Sequence, residues 1–425
     1  MYPIAGERSG IVEKGLHRKA FRMKSKKHTA ASFLLVFFSI AFVFIISEAI
    51  FPFFLVYLPL KTRWYLDEGI RVLAQYSKKS VVPEHYIALL GDSYAAGQGD
   101  WFLSVNKNGR PAFHSAHLIH KETATDVITF GAAGAGSLRG LVGEPLAQYR
   151  FINASYRFEM DPPEYIIAYF YEGNDLNDNL EYLRLRFPNG FDPEKIYDPT
   201  FFATFIQRAV HWGDPLFRRA KFPGIRDQLI FTPFLGRLLD AFYHEATGTG
   251  PNLASTSPWP LGNMNKVLID GQSVRIPDML QSPALELTEE EIDLSVYIVE
   301  QSLRYLKSVF SSAKIGIVYI PSPLASYTLD SPYVSIQVYE KRKVIYAAET
   351  VQRRSDDIAE RIGAVAARCE ADFMDARPFI RKRSSGLLVH GPVDWKHFNK
   401  EGYSALAEAV VQLIRKMSPG PAEKR

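Results

Sequence analysis

At 425 residues, with 47% hydrophobic and 13% aromatic composition, the chain can fill one large domain or two ordinary ones, which excludes disorder as its general state. The formal net charge is +4, but residues 1–28 alone carry +6 and the remainder −2. No basic body is left over, so nucleic acid is excluded as a partner.

The basic stretch runs into "AASFLLVFFSIAFVFIIS" (Ala30 to Ser47), whose 18 uncharged residues would reach roughly 27 Å as a helix, against a hydrocarbon core about 30 Å thick. A membrane-spanning helix is predicted. No small-x-small site follows Ser47, so an uncleaved signal anchor is expected in place of a cleaved signal peptide. Charge asymmetry then puts residues 1–28 in the cytoplasm, 29–60 in the inner membrane, and the rest of the chain in the periplasm. The single cysteine, Cys369, cannot form an intramolecular disulfide and reads as a buried structural thiol.

Residues 61–84 read as a juxtamembrane segment, with helical spacing at Trp64, Leu66, Ile70 and Leu73 up to about Ser80. Short apolar runs of strand length follow at 85–90, 126–131, 164–171, 313–323 and 371–378. Helices are predicted between them at about 111–121, 288–310 and 341–369. The second opens with "TEEE" at Thr288, a capping-box spacing. Strands alternating with helices predict an α/β domain with a parallel sheet, in two parts, 85–180 and 283–418. The intervening 181–282 lacks that rhythm and is rich in aromatics, Pro and Arg, so it is expected to be an inserted cap or lid over one end of the sheet. Within it "NKVLIDGQSVRIP" reads as a hairpin turning at Asp270-Gly271. Residues 419–425 read as a disordered tail.

Several polar clusters fall at predicted strand ends, where parallel sheets bind ligands. "GDS" (Gly91, Asp92, Ser93) ends the first strand, "GAAGAGS" begins at Gly131, and "EGND" holds Asn174 and Asp175. Late in the chain "DWKH" holds Asp394 and His397. Acyl transfer at a serine needs a base near pKa 6.5 to take the hydroxyl proton, a carboxylate to fix the imidazole tautomer, and donors aimed at the oxyanion. Ser93, His397 and Asp394 can fill the first three roles. The Ser93 N–H, a glycine N–H of "GAAGAG" and the Asn174 amide can fill the last. Asp92 reads as a loop-bracing carboxylate, because Asp394 already serves the imidazole. Asp175 and Asp178 read as solvated or capping side chains, and His114, His117 and His120 as one face of a helix, so no metal site is assigned. His390 is a second candidate base that lacks an Asp three residues earlier.

Those four motifs, in this order, resemble the SGNH or GDSL-type serine hydrolases. The resemblance covers about 86–180 and 283–417. It implies a three-layer flavodoxin-like sandwich and ester hydrolysis or transfer, with no cofactor. It implies Ser93 as nucleophile, His397 as base, Asp394 as orienting acid, and Ser93, Gly134 (or else Gly131) and Asn174 as oxyanion donors. Glu172 stands where the family's block begins with glycine, and the insertion has no counterpart in the minimal fold. A membrane-anchored serine esterase acting on an acyl-ester substrate, carbohydrate or lipid, is therefore expected. An O-acyltransferase of the same fold modifying a polysaccharide, and a catalytically silent envelope scaffold, are the alternatives.

Overall fold

A computed structural model describes residues 32–99, 115–154, 157–211, 215–247, 257–338 and 342–418. The basic stretch 1–28, His114 and the tail 419–425 lie outside the described residues.

Five strands form one fully parallel sheet: β1 (Tyr86–Leu90), β2 (Asp126–Thr129), β3 (Tyr165–Tyr171), β6 (Lys314–Ile320) and β9 (Asp372–Asp375). Their order, β2-β1-β3-β6-β9, is the flavodoxin-like doubly wound order, with the reversal between β1 and β3. Each predicted apolar run supplies one of these strands. Alternate residues serve two cores, because strand side chains point to opposite faces. Ala88, Ile166 and Ile317 face one core with α4 (Glu144–Ala154), α7 (Glu289–Val309) and α8 (Ala348–Arg368). Leu89, Ile167 and Val318 face the other with α3 (Ser115–Thr123) and α9 (Lys400–Met417). This is a three-layer α/β sandwich. The capping box forms at α7, where Thr288 Oγ1 accepts from the Glu291 N–H and Glu291 Oε2 accepts from the Thr288 N–H. Cys369 is buried, and burial pushes its thiol up.

Ahead of the sheet, α1 (Ser32–Tyr57) is 26 residues long with mean hydropathy 2.6, long and apolar enough to cross a membrane. The predicted helix over 61–80 does not form. Residues 60–63 make one helical turn and 71–74 a 3-10 turn, and Gln75 to Ser77 run along the outer edge of β2. Gln75 donates to the Thr129 carbonyl and accepts from its N–H, while Ser77 exchanges bonds with Val127. Those bonds cover a sheet edge that would otherwise present unpaired backbone. Gly69 also packs so close to Phe151 that a Cβ there would lie 2.3 Å from the ring.

The predicted helix over 341–369 starts late. Its first residues, "KVIYA", form β8 (Lys343–Ala347), antiparallel to β7 (Tyr333–Gln337), and α8 begins at Ala348. The hairpin β4 (Lys266–Ile269) and β5 (Gln272–Arg275) turns at Asp270 and Gly271, both with positive φ, as a type I′ turn requires.

The segment expected as a cap behaves differently in its two parts. α5 (Asp175–Arg186) crosses the expected boundary at 180/181. Beyond it, the helical part packs on the flank of the domain, where Pro215 and Leu216 also line a cavity with Gln98, Gly131 and Ala132 just past the carboxyl ends of β1 and β2. Phe202 and Phe205 enter the core beside α7, and Phe217 receives the Arg150 guanidinium from α4. Its last helix, α6 (Phe231–Thr247), begins against α1. After residue 256 the chain returns to the other end, where the Trp259 N–H donates to the Pro392 carbonyl. Aromatics spread without period suit such a multi-sided flank, which is why they resembled a lid in the sequence.

Candidate active site

β1 ends at Gly91, whose φ of 139° and whose approach to Tyr169 (a Cβ would lie 2.9 Å from its carbonyl oxygen) both require glycine. Asp92 then caps the short helix α2 (Ser93–Ala96), accepting from the Tyr94 N–H at 2.9 Å. Ser93 is thereby held at the carboxyl edge of β1, beside the strand-order reversal. Three hundred residues later the 391–399 loop meets it: His397 Nε2 lies 2.9 Å from Ser93 Oγ, and His397 Nδ1 lies 2.7 Å from Asp394 Oδ2.

The loop is organised by Asp394. Its other carboxylate oxygen accepts from the N–H groups of Lys396 and His397 at 2.8 and 3.3 Å, a local turn that fixes both side chains at once. Burial alone would raise the Asp394 carboxyl, but the bonds from the His397 ring and these backbone donors outweigh it and hold the group below its ordinary value. It stays ionised, as a tautomer-fixing acceptor must. Tyr94 ties the two pieces together: its hydroxyl donates to the Lys396 carbonyl at 2.9 Å, and its ring packs against His397 and Phe398. Tyr403 adds a bond to the Gln98 carbonyl at 2.5 Å.

The remaining predicted residues surround this centre. Asp92 Oδ2 accepts from Ser93 Oγ at 3.2 Å, so the single hydroxyl proton has two acceptors, Asp92 and His397. Burial pushes the Asp92 carboxyl up to about 6, with its bond from Tyr94 and the nearby His397 acting in the opposite direction. Asn174 caps neither serine nor histidine; its amide donates to Asp178 Oδ2 at 2.8 Å, which leaves its second N–H. Asp175 is buried, not solvated, and accepts from the Tyr171 N–H; burial and Asp92 hold it well above the carboxylate range. Gly134 has φ 62°, with open space where a Cβ would project. It borders a cavity of about 330 Å³ together with Asp178, Tyr182 and Arg186. Gly131 has another task, since a Cβ there would lie 2.1 Å from the Ala96 nitrogen and push α2 away.

His390 is fully buried, with Nδ1 3.1 Å from the Tyr327 hydroxyl, and burial pushes it down to about 3. It is a neutral core residue. His117 lies against the Tyr76 ring, and His120 Nδ1 meets the Thr125 carbonyl. Among the described residues no group of three or more His, Cys, Asp or Glu side chains is placed to hold a metal ion.

Sequence reasoning missed what Glu172 does. This fully buried carboxylate accepts from the Ser322 N–H and hydroxyl and the Ser355 hydroxyl, each at 2.7 Å, and from the Tyr319 hydroxyl. It ties the end of β3 to β6 and α8, two residues before Asn174. Its only sequence signal was its departure from glycine.

The sheet has the flavodoxin-like doubly wound order, and the strand-end motifs resemble, in their order, those of the SGNH hydrolases. No family model and no curated protein sequence matches it. In overall structure it is similar to an extracellular lipase from Streptomyces rimosus (13% identity, TM-score 0.36, covering 79% of this chain and 100% of the other). It is also similar to a phospholipase A1 from Streptomyces albidoflavus NA297 (10%, 0.32, 79% and 99%). A carbohydrate acetylesterase family member from Sinorhizobium meliloti is similar to a like degree (11%, 0.30, 78% and 98%).

Proposed function

We propose that the protein is a membrane-anchored serine esterase that hydrolyses acyl esters of envelope polysaccharide or lipid. The observation that carries this reading is the unbroken Ser93–His397–Asp394 hydrogen-bond chain at the carboxyl edge of the sheet. His397 takes the Ser93 proton as Oγ attacks the ester carbonyl, and Asp394 fixes the tautomer that leaves Nε2 free to accept it. The Ser93 N–H, the Gly134 N–H and the second Asn174 N–H stabilise the oxyanion. His397 then protonates the leaving alcohol, and water, activated by the same imidazole, releases the acid from the acyl-enzyme. α1 spans the inner membrane, with the N-terminus cytoplasmic and the catalytic domain on the periplasmic side.

Labelling with a serine-directed fluorophosphonate tests it. One adduct on the full chain in detergent, absent from Ser93→Ala, is expected. An equal adduct on both, or none on either, would sink the assignment. Acetate release from an acetylated glycan with no acceptor present separates hydrolysis from transfer.

A further inference from the structure

The carboxyl end of α1 and the start of α6 form one joint. Glu48 of α1 accepts from three successive backbone N–H groups, those of Ile230, Phe231 and Thr232, at 2.9, 3.1 and 2.7 Å. Around this bond the Phe231 ring packs against Phe44 and Phe51, and Phe234 packs against Phe51 at 4.8 Å. α6 therefore starts level with the last turns of the membrane-crossing helix.

From there α6 runs 17 residues, about 25 Å, with Phe231, Phe234, Leu238, Leu239, Phe242 and Tyr243 following the three-and-four spacing of one face. Such a stripe normally faces a core, yet Phe234 is the one buried residue of this helix, and Leu239, Phe242 and Tyr243 are 58–65% exposed. The opposite face carries Arg237, Asp240 and His244. Arg237, midway along, donates to the Tyr65 carbonyl and to Asp67, which follow α1 in the chain. These bonds tie α6 to the base of the domain instead of letting it turn into the bilayer beside α1. Phe222 and Ile225, 73% and 84% exposed, extend the apolar surface on the segment leading to α6, and Phe53 and Phe54 extend it on α1.

We propose that α6 lies in the boundary between lipid headgroups and acyl chains, its apolar face buried in the same bilayer that α1 crosses. The inference rests on the membrane-anchored reading above. The occupant is lipid because the exposed face is continuous with α1, and because a charged face opposite an apolar one is the pattern of a helix lying in the interface plane. The insertion then becomes a second membrane contact, and Glu48 is the lock between the two. An α1 standing alone would leave the domain free to tilt about a single tether; a second contact fixes which side of it faces the lipid.

The test uses the full chain in nanodiscs of phosphatidylethanolamine and phosphatidylglycerol, in a Cys369→Ala background. A bimane label is placed through Phe37→Cys, Leu239→Cys, Phe242→Cys or Asp240→Cys, and is quenched by lipids carrying a nitroxide at a shallow or a deep position. Residue 37 should be quenched most by the deep nitroxide. Residues 239 and 242 should be quenched by the shallow one at least twofold more than residue 240. Quenching at 37 with no difference among 239, 242 and 240 overturns the α6 proposal and leaves the anchor standing. No quenching at 37 overturns the anchor and this inference with it. A label shift at 239 or 242 that follows the number of chains per disc, not the nitroxide lipid, assigns the face to a second copy and also overturns the proposal.

Discussion

The two ends of this domain are built from different interactions. At the carboxyl edge of the sheet, hydrogen bonds join backbone or side chains about three hundred residues apart: Ser93 to His397, Tyr94 to Lys396 and Tyr403 to Gln98. Glycines at 91 and 131 let the backbones approach. On the flank beside α1, large aromatic rings, charge ties such as Asp67 with Arg219 and Arg237, and the single carboxylate of Glu48 on three N–H groups do the joining. Hydrogen bonds demand position to within a few tenths of an ångström, whereas ring packing tolerates variation. In the proposed reading, the difference assigns the chemistry to the hydrogen-bonded end and attachment to the flank.

The sharpest way to break that division is at Ser93. Ser93→Ala should lower kcat/KM on a short acyl ester by about 10⁴-fold or more while leaving the thermal midpoint within a few degrees. Activity within tenfold of the parent would remove the carboxyl edge as the reacting centre. Asp394→Asn should cost about 10³- to 10⁴-fold, because an amide no longer enforces the tautomer. Loss of less than tenfold would mean that the loop, not the carboxylate, orients His397.

Glu48→Ala sharpens the comparison from the other side. It strips three N–H groups of their acceptor and should cost on the order of 2–3 kcal/mol locally. Hydrogen exchange should speed up at 230–234, with kcat/KM on a water-soluble ester unchanged within twofold. A tenfold fall in that rate would show that the two ends are coupled.

The smallest effect concerns pH. The Asp92 carboxyl is pushed up to about 6 by burial, above an unfolded value near 4. Between those values the folded chain still holds a proton that the unfolded chain has released, so stability falls as pH rises through about 4 to 6 and stays lower above it. Asp92→Asn keeps the acceptor for the Tyr94 N–H and should flatten that fall by on the order of 1 kcal/mol, read as thermal midpoints at pH 4, 5, 6 and 7. An unchanged slope would place the titration in Asp175 instead.

Much of this was legible locally. β1 and β3 are apolar runs of strand length bounded by turn-forming residues, and burial on both faces of a parallel sheet imposes that pattern. Thr288 with Glu291, and Asp270 with Gly271, are bonded or bent within four residues, so the sequence carries them whole. The 61–80 stretch misled because its apolar spacing suits a helix, while Gln75 and Ser77 are recruited by β2, some fifty residues away. β8 was hidden beside a longer helix, since "KVIYA" needs its partner Tyr333–Gln337 to be read as a strand. In the candidate site, each residue type was visible and the contacts were not.

What the sequence determined by itself was the alternation of strands and helices, the apolar helix, and the polar residues at the strand ends, because burial periodicity and short-range bonds are written within a few residues. What only the tertiary structure decided was which groups meet. It put His397 on Ser93 and sealed His390 in the core. It turned Glu172 inward as a tie and set the start of α6 against α1 while bringing Trp259 to the catalytic loop. Those outcomes depend on how separate segments pack against one another, and no local pattern contains that distance.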